Sequence, residues 1–152
     1  MTISRRYSND LASCEDTFQE CFIQIYKSLV SNKTEIKDLD SWIARIAINT
    51  NITSYYKAPK ADLEEVTEDL LDESHKAAID KLSGDELMNI IQQIPDGYRV
   101  IFNLYFMDGY KHKEIAELLN ISESTSRSQL ARAKDYLRKK LESQGIYRYE
   151  ST

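Results

Sequence analysis

Between Ile115 and Leu141 the apolar residues keep helical spacing, lose it briefly and resume it, and few folds accept that pattern. Ile115, Ala116, Leu118 and Leu119 line one face of a short helix, Asn120-Ile121-Ser122 breaks the period, and Leu130, Ala133, Leu137 and Leu141 restore it. Asn tolerates the left-handed backbone of a tight turn, and Ser122 is a good N-cap for the second helix. Ala116 is small where two helices must cross closely. The stretch predicts a helix-turn-helix.

The outward face of the second helix is expected to carry Ser124, Thr125, Arg127, Ser128, Gln129, Ala131 and Arg132, followed by Lys134, Arg138, Lys139 and Lys140. Arg and Gln can make paired hydrogen bonds to base edges in a major groove, hydroxyls serve bases or phosphates, and the later lysines suit phosphates. A solvated basic face is the plainer alternative. DNA binding is favoured because a tight two-helix turn, a small crossing residue and a polar first turn with Glu123 as its one acid coincide.

Only four Gly and two Pro among 152 residues, with long runs of good helix formers, point to an all-α chain. A 41% hydrophobic and 30% charged composition is that of an ordinary globular protein. No apolar run approaches the roughly 20 residues of a membrane span, and no apolar signal core opens the chain, so a cytoplasmic protein without membrane insertion is expected. The net charge of −5 argues against indiscriminate nucleic-acid binding. Its distribution is uneven: Asp62, Glu64, Glu65, Glu68, Asp69, Asp72 and Glu73 meet no cation, whereas Arg127 to Lys140 is basic but for Asp135. Cys14 and Cys21 lie about 10 Å apart by helix rise, too far to bridge, and read as core thiols. His75 and His112 have no ligand pattern around them and read as surface histidines. No Ser-His-Asp set, metal spacing or phosphate loop occurs, so no catalytic residue, metal or cofactor is expected.

Along the chain, Ile3 to Tyr7 reads as the tail of a helix. Glu15 to Leu29 is amphipathic, with Phe18, Cys21, Phe22, Ile25, Tyr26 and Leu29 on one side. Asp40 or Ser41 can cap a third helix that starts at Trp42 and reaches about Lys57 before Pro59 stops it. Residues 1–60 thus form one helical domain. Residues 61–83 are acidic with no sustained apolar face and read as a flexible linker. Residues 84–145 form the second domain, in which Leu87, Ile90, Ile91 and Ile94 make a helix ended by Pro95. Asp96 to Met107 makes another, ended at Gly109, and the helix-turn-helix packs on both. Residues 146–152 are a tail.

Taken together, the chain resembles bacterial RNA polymerase sigma factors of the extracytoplasmic-function class. The resemblance lies in Arg6-Tyr7, in Asp16 to Phe22 (similar to D-x-x-Q-E-x-F), in Trp42 to Asn49 (similar to W-x-x-R-I-A-x-N), in Ile94-Pro95, Tyr98 to Phe106, Gly109-Tyr110 and Glu114 to Ala116, and in Ser124 to Lys134. It implies a transcription initiation factor in which Asp16, Gln19 and Glu20 dock on core RNA polymerase, with Phe18 and Phe22 in the core. It places Lys33, Lys37, Arg45 and Asn49 near the melted −10 strand, with Trp42 read as core. Arg127, Ser128, Gln129 and Arg132 would read −35 base edges while Ser124, Thr125 and Lys134 hold the backbone. The linker would thread a basic polymerase channel or serve as a solvating spacer. A monomer with core polymerase, promoter DNA and an anti-sigma factor as partners is implied.

The chain departs from the family pattern in places. It opens almost on the Arg-Tyr pair, so the first domain is expected to lack a leading helix. Thr53 and Tyr56 stand where the family has Asp and Arg, which weakens strand capture, and Ser126 stands for a buried Val, which should loosen the recognition helix. Two other readings remain open: a homodimeric helix-turn-helix regulator without polymerase, and a sigma-like adaptor that titrates an anti-sigma protein.

Overall fold

The computed structural model describes residues 2–8, 10–31, 35–57 and 83–145, and every regular element among them is helical. The chain divides into two compact units, Met1–Ala61 and Asp62–Thr152. The expected linker, apart from Ser83, and the expected tail lie outside the described residues, as do His75 and Lys33.

The first unit holds α1 (Thr2–Tyr7), α2 (Leu11–Ser31) and α3 (Leu39–Lys57), packed pairwise. Helix α2 starts before Glu15 because Asp10 caps it, accepting from the Ser13 amide at 2.8 Å and from the Ser13 hydroxyl at 2.8 Å. The cap of α3 is Asp38, whose carboxylate accepts from the Asp40 amide and the Ser41 hydroxyl, and so neither Asp40 nor Ser41 fills that role. Both carboxyls are held below their usual range, Asp10 chiefly by the Ser13 amide and Asp38 chiefly by the Ser41 hydroxyl.

The core of this unit is built from small residues. Cys14, Thr17 and Cys21 of α2 are buried, as are Ile48 and Ile52 of α3. Small side chains let two helices approach closely and leave bulky ones outside the seam. Phe22 is accordingly 58% exposed and Tyr26 69% exposed, with Leu29 and Val30 also open, so the expected burial of Phe22 does not occur. Phe18 is half-buried and meets Phe22 edge-on at 5.0 Å. Trp42 is likewise half-buried, at the margin of the core. Asn51 ties α3 to α1, its amide donating to the Ala47 carbonyl at 2.7 Å and to the Ser4 hydroxyl at 3.4 Å.

The second unit comprises α4 (Gly84–Gln93), α5 (Asp96–Phe102), α6 (His112–Leu119) and α7 (Glu123–Ser143). A reciprocal cap opens α4: the Glu86 amide donates to the Ser83 hydroxyl, and the Ser83 amide to the Glu86 carboxylate. Ile90, Ile91 and Ile94 are buried beside Val100, Ile101, Phe102 and Leu104. The expected single helix from Asp96 to Met107 widens into a π-helix at Asn103–Met107, where the Asp108 amide donates to the Asn103 carbonyl at 3.0 Å. Gly109, at φ 77°, then turns the chain into α6.

Candidate nucleic-acid interface

The turn between α6 and α7 is built by backbone chemistry that the sequence announces. Asn120 is the one non-glycine residue at positive φ among the described residues (φ 51°), and the Ile121 amide closes on the Ala116 carbonyl at 3.0 Å. Ser122 caps α7, accepting from the Thr125 amide at 2.9 Å. Ile115 and Leu119 of α6 and Leu130, Ala133, Leu137 and Leu141 of α7 are all buried. A sharply turned helix pair results.

Helical rotation sorts the first turns of α7. At about 100° per residue, Ser126, Ala133 and Leu137 mark the buried line, Ser124 and Ser128 lie nearly opposite, and Arg127 and Arg132 fall on the two flanks. Ser124 and Arg127 are exposed, while Thr125 and Ser128 are partly so. Gln129, placed on the outward face by the sequence, is 8% exposed and does not face solvent. It lies three residues beyond Ser126, only about 60° from the buried line.

The cations are seated. Arg127 pairs with Glu123 at 2.5 Å on the exposed first turn. The Arg132 guanidinium lies over the Tyr98 ring at 5.9 Å and donates to the Tyr98 hydroxyl at 3.3 Å. Lys134 sits over the Phe106 ring at 5.0 Å, and burial pushes its pKa down. Farther along, Asp135 meets Arg138 at 2.6 Å and Lys139 at 2.7 Å, and Arg138 also approaches Glu142. The lysine and arginine run is therefore less cationic than its composition.

Several contributors are missed by sequence reasoning. Lys111 and Lys113 are exposed at the start of α6, where two lysines flanking a histidine are the available signal. Tyr98 and Phe106 seat cations of another helix, which periodicity cannot disclose. His112 is not a surface histidine: its ring stacks on Tyr105 at 4.7 Å and its Nδ1 lies 2.9 Å from the Ser126 hydroxyl. Burial lowers its pKa, as do Arg127 and Lys134, against the opposing Glu123.

In the first unit, Asp16, Gln19 and Glu20 are exposed along α2, as are Lys37, Arg45 and Asn49 on and before α3. A groove between α2 and α3 is lined by Asp16, Glu20, Gln24, Asn49 and Thr53. Asn49 thus shares a groove with two carboxylates, surroundings that repel a phosphate backbone. Arg45 does not line that groove.

Residues 1–69 match the family described as Sigma-70 region 2, and residues 84–137 match Sigma-70, region 4. The chain is 34% identical over 149 residues to the ECF RNA polymerase sigma factor SigW of Bacillus subtilis (strain 168), covering 90% of this chain and 79% of that protein. It is 31% identical over 137 residues to the RNA polymerase sigma factor SigZ of the same organism, covering 88% and 76%. With the ECF RNA polymerase sigma-E factor of Escherichia coli (strain K12) the identity is 24% over 142 residues, covering 84% and 73%.

Proposed function

This chain belongs to the sigma-70 family of RNA polymerase sigma factors, and from that premise we propose which of its residues meet the polymerase and which meet promoter DNA. It is a transcription initiation factor that directs RNA polymerase to promoters. The second unit reads the −35 element with the start of α7: Arg127 reaches base edges from one flank and Arg132 from the other, while Ser124, Thr125, Ser128 and Lys134 hold the backbone. Lys111 and Lys113 add phosphate contacts from α6. The observation that carries this reading is the tight turn at Asn120, which leaves Ser124 and Arg127 open to solvent.

The first unit engages core polymerase through Asp16, Gln19 and Glu20, with Asn49 assigned to the same protein-facing groove. The −10 strand is left to Lys33, Lys37 and Arg45. The exposed apolar residues Phe22, Tyr26, Leu29 and Val30 offer a non-polar surface to the polymerase, or to an anti-sigma factor that competes for it. The factor works in the cytoplasm as a monomer. Joining two weak DNA contacts to polymerase contacts raises their effective concentration, so neither unit needs high affinity alone.

Run-off transcription with purified core polymerase tests this division. Arg127→Ala should lower promoter-specific transcripts roughly ten- to hundredfold, as expected for a lost bidentate contact, with core affinity retained. Gln19→Ala should lower core affinity and leave promoter choice intact. If the two variants impair the same step equally, the division is wrong; a homodimer that binds DNA without polymerase would replace it.

A further inference from the structure

We propose that His112 is a positioning residue for promoter reading: through Ser126 it fixes the rotation of α7 on α6, and so decides where Ser124, Arg127 and Ser128 point. This rests on the assignment of α7 to promoter DNA.

Ser126 is fully buried, one residue before Arg127 and two from both Ser124 and Ser128. The other contacts that close α6 on α7 involve Ile115, Leu119, Leu130 and Ala133. Apolar contacts of that kind are non-directional and tolerate a helix that rolls by a few degrees. The Ser126–His112 hydrogen bond, 2.9 Å long and spanning the two helices, has a direction. A buried hydroxyl is costly without its partner, so a roll of α7 that parted the two atoms is penalised in a way that sliding methyl groups are not. Base reading tolerates only about 10–20° of misalignment.

His112 is itself held. Its ring stacks on Tyr105 at an interplanar angle of 26°, Tyr105 abuts Phe106 at 5.2 Å, and Phe106 lies beneath Lys134 of α7. The π-helix, which carries both aromatic rings, therefore backs the imidazole from one side while Ser126 takes its edge. A serine in place of a bulky aliphatic residue does not merely loosen the helix. It converts a packing position into a hydrogen-bonded register mark.

The test uses the full chain with core RNA polymerase, which first selects duplexes from a random-sequence pool; the selected duplex and its scrambled counterpart are the probes. His112→Phe keeps a ring against Tyr105 but offers Ser126 nothing, Ser126→Ala removes the hydroxyl without leaving a polar atom stranded, and His112→Asn restores a polar atom near the Nδ1 position. His112→Phe should reduce the selected-to-scrambled affinity ratio on the order of tenfold, with scrambled-duplex and core affinities unchanged. The double variant should be no worse than His112→Phe alone, and His112→Asn should recover most of the loss. Losses that multiply in the double variant, an equal fall on both probes, or no recovery by His112→Asn overturn the proposal. Should His112→Phe not fold, Ser126→Ala alone must lower the ratio severalfold, and an unchanged ratio overturns it. A wild-type holoenzyme that selects no sequence defeats the DNA assignment and this inference with it, whereas selection untouched by His112→Phe defeats the inference alone.

Discussion

Arg99 is the largest fully buried side chain described, 2% exposed, and its replacement by Met isolates what a buried guanidinium does for the DNA-reading unit. Arg99 donates to the Gln92 carbonyl at 2.9 Å, to the Ile94 carbonyl at 3.4 Å, and to Asp96 Oδ1 at 2.7 Å. It thereby serves carbonyls at the end of α4 and pins the Ile94-Pro95 corner. Two effects oppose each other when the charge is removed. The guanidinium no longer has to be desolvated, which favours Met and has made some buried ion pairs dispensable. Against that, the carbonyls cannot be replaced along with it, and the Ile94 carbonyl belongs to a residue only 1% exposed.

The second effect should win. One good charged hydrogen bond to a carbonyl contributes about 1.5–2 kcal/mol and the longer one about 0.5, while the ion pair with the half-exposed Asp96 adds no more than about 1. Arg99→Met should therefore cost about 3 kcal/mol, or a melting shift of about 12–24 °C for a domain of this size. Asp96→Asn should cost under about 1 kcal/mol, since it leaves both carbonyl contacts in place. Thermal unfolding by circular dichroism, with hydrogen exchange at the amides of residues 90–101 as the local readout, measures both. If Arg99→Met melts like wild type, or if Asp96→Asn is the more damaging change, the guanidinium is not acting as a carbonyl cap.

The first turn of α7 and the histidine behind it give two further expected outcomes. Glu123→Ala removes an acid from the DNA-facing turn and releases Arg127, so affinity for a selected duplex should rise about two- to fivefold, the equivalent of an exposed ion pair; fluorescence anisotropy showing weaker binding would refute this. His112, its pKa held below 6.5 chiefly by burial and further by Arg127 and Lys134 against Glu123, with Tyr105 on its face, binds fewer protons folded than unfolded. Stability should thus rise with pH from the depressed folded value up to about 6.5 and then level off, and His112→Asn should flatten that rise in melting curves taken across the window.

The helix-turn-helix was legible because each of its demands is local: the period of Ile115 to Leu119, the left-handed Asn120 and the capping Ser122 act within a few residues. The face of α7 was legible only in part. Helical spacing says which residues lie together but not how wide the buried strip is, and Gln129 falls on its margin. On α2 the same ambiguity misled more strongly. Phe18, Phe22, Tyr26 and Leu29 make a stronger apolar stripe than Cys14, Thr17 and Cys21, yet the seam uses the smaller residues. Hydrophobic strength predicts that a face will be covered, not by what. The π-helix and the aromatic seats of Arg132 and Lys134 are tertiary, and spacing carries no trace of them.

The arrangement of acids along α7 bears on how an acidic chain reads DNA at all. If the six cations Arg127, Arg132, Lys134, Arg138, Lys139 and Lys140 each held a phosphate, log K would fall with log salt at a slope of about −5. Arg127 is engaged by Glu123, and Arg138 and Lys139 by Asp135. Such exposed pairs are individually weak, but their carboxylates stay on the helix when DNA arrives and oppose each phosphate gained. Three cations then remain on α7 without an acid beside them, and the slope for the full chain on a scrambled duplex should be nearer −3. Weak non-specific binding leaves discrimination to Arg127, Arg132 and the hydroxyls of the first turns, which suits a protein that reaches DNA on a polymerase. A measured slope near −5 would mean that the acids yield completely, and that phosphate attraction rather than the tether brings this unit to its site.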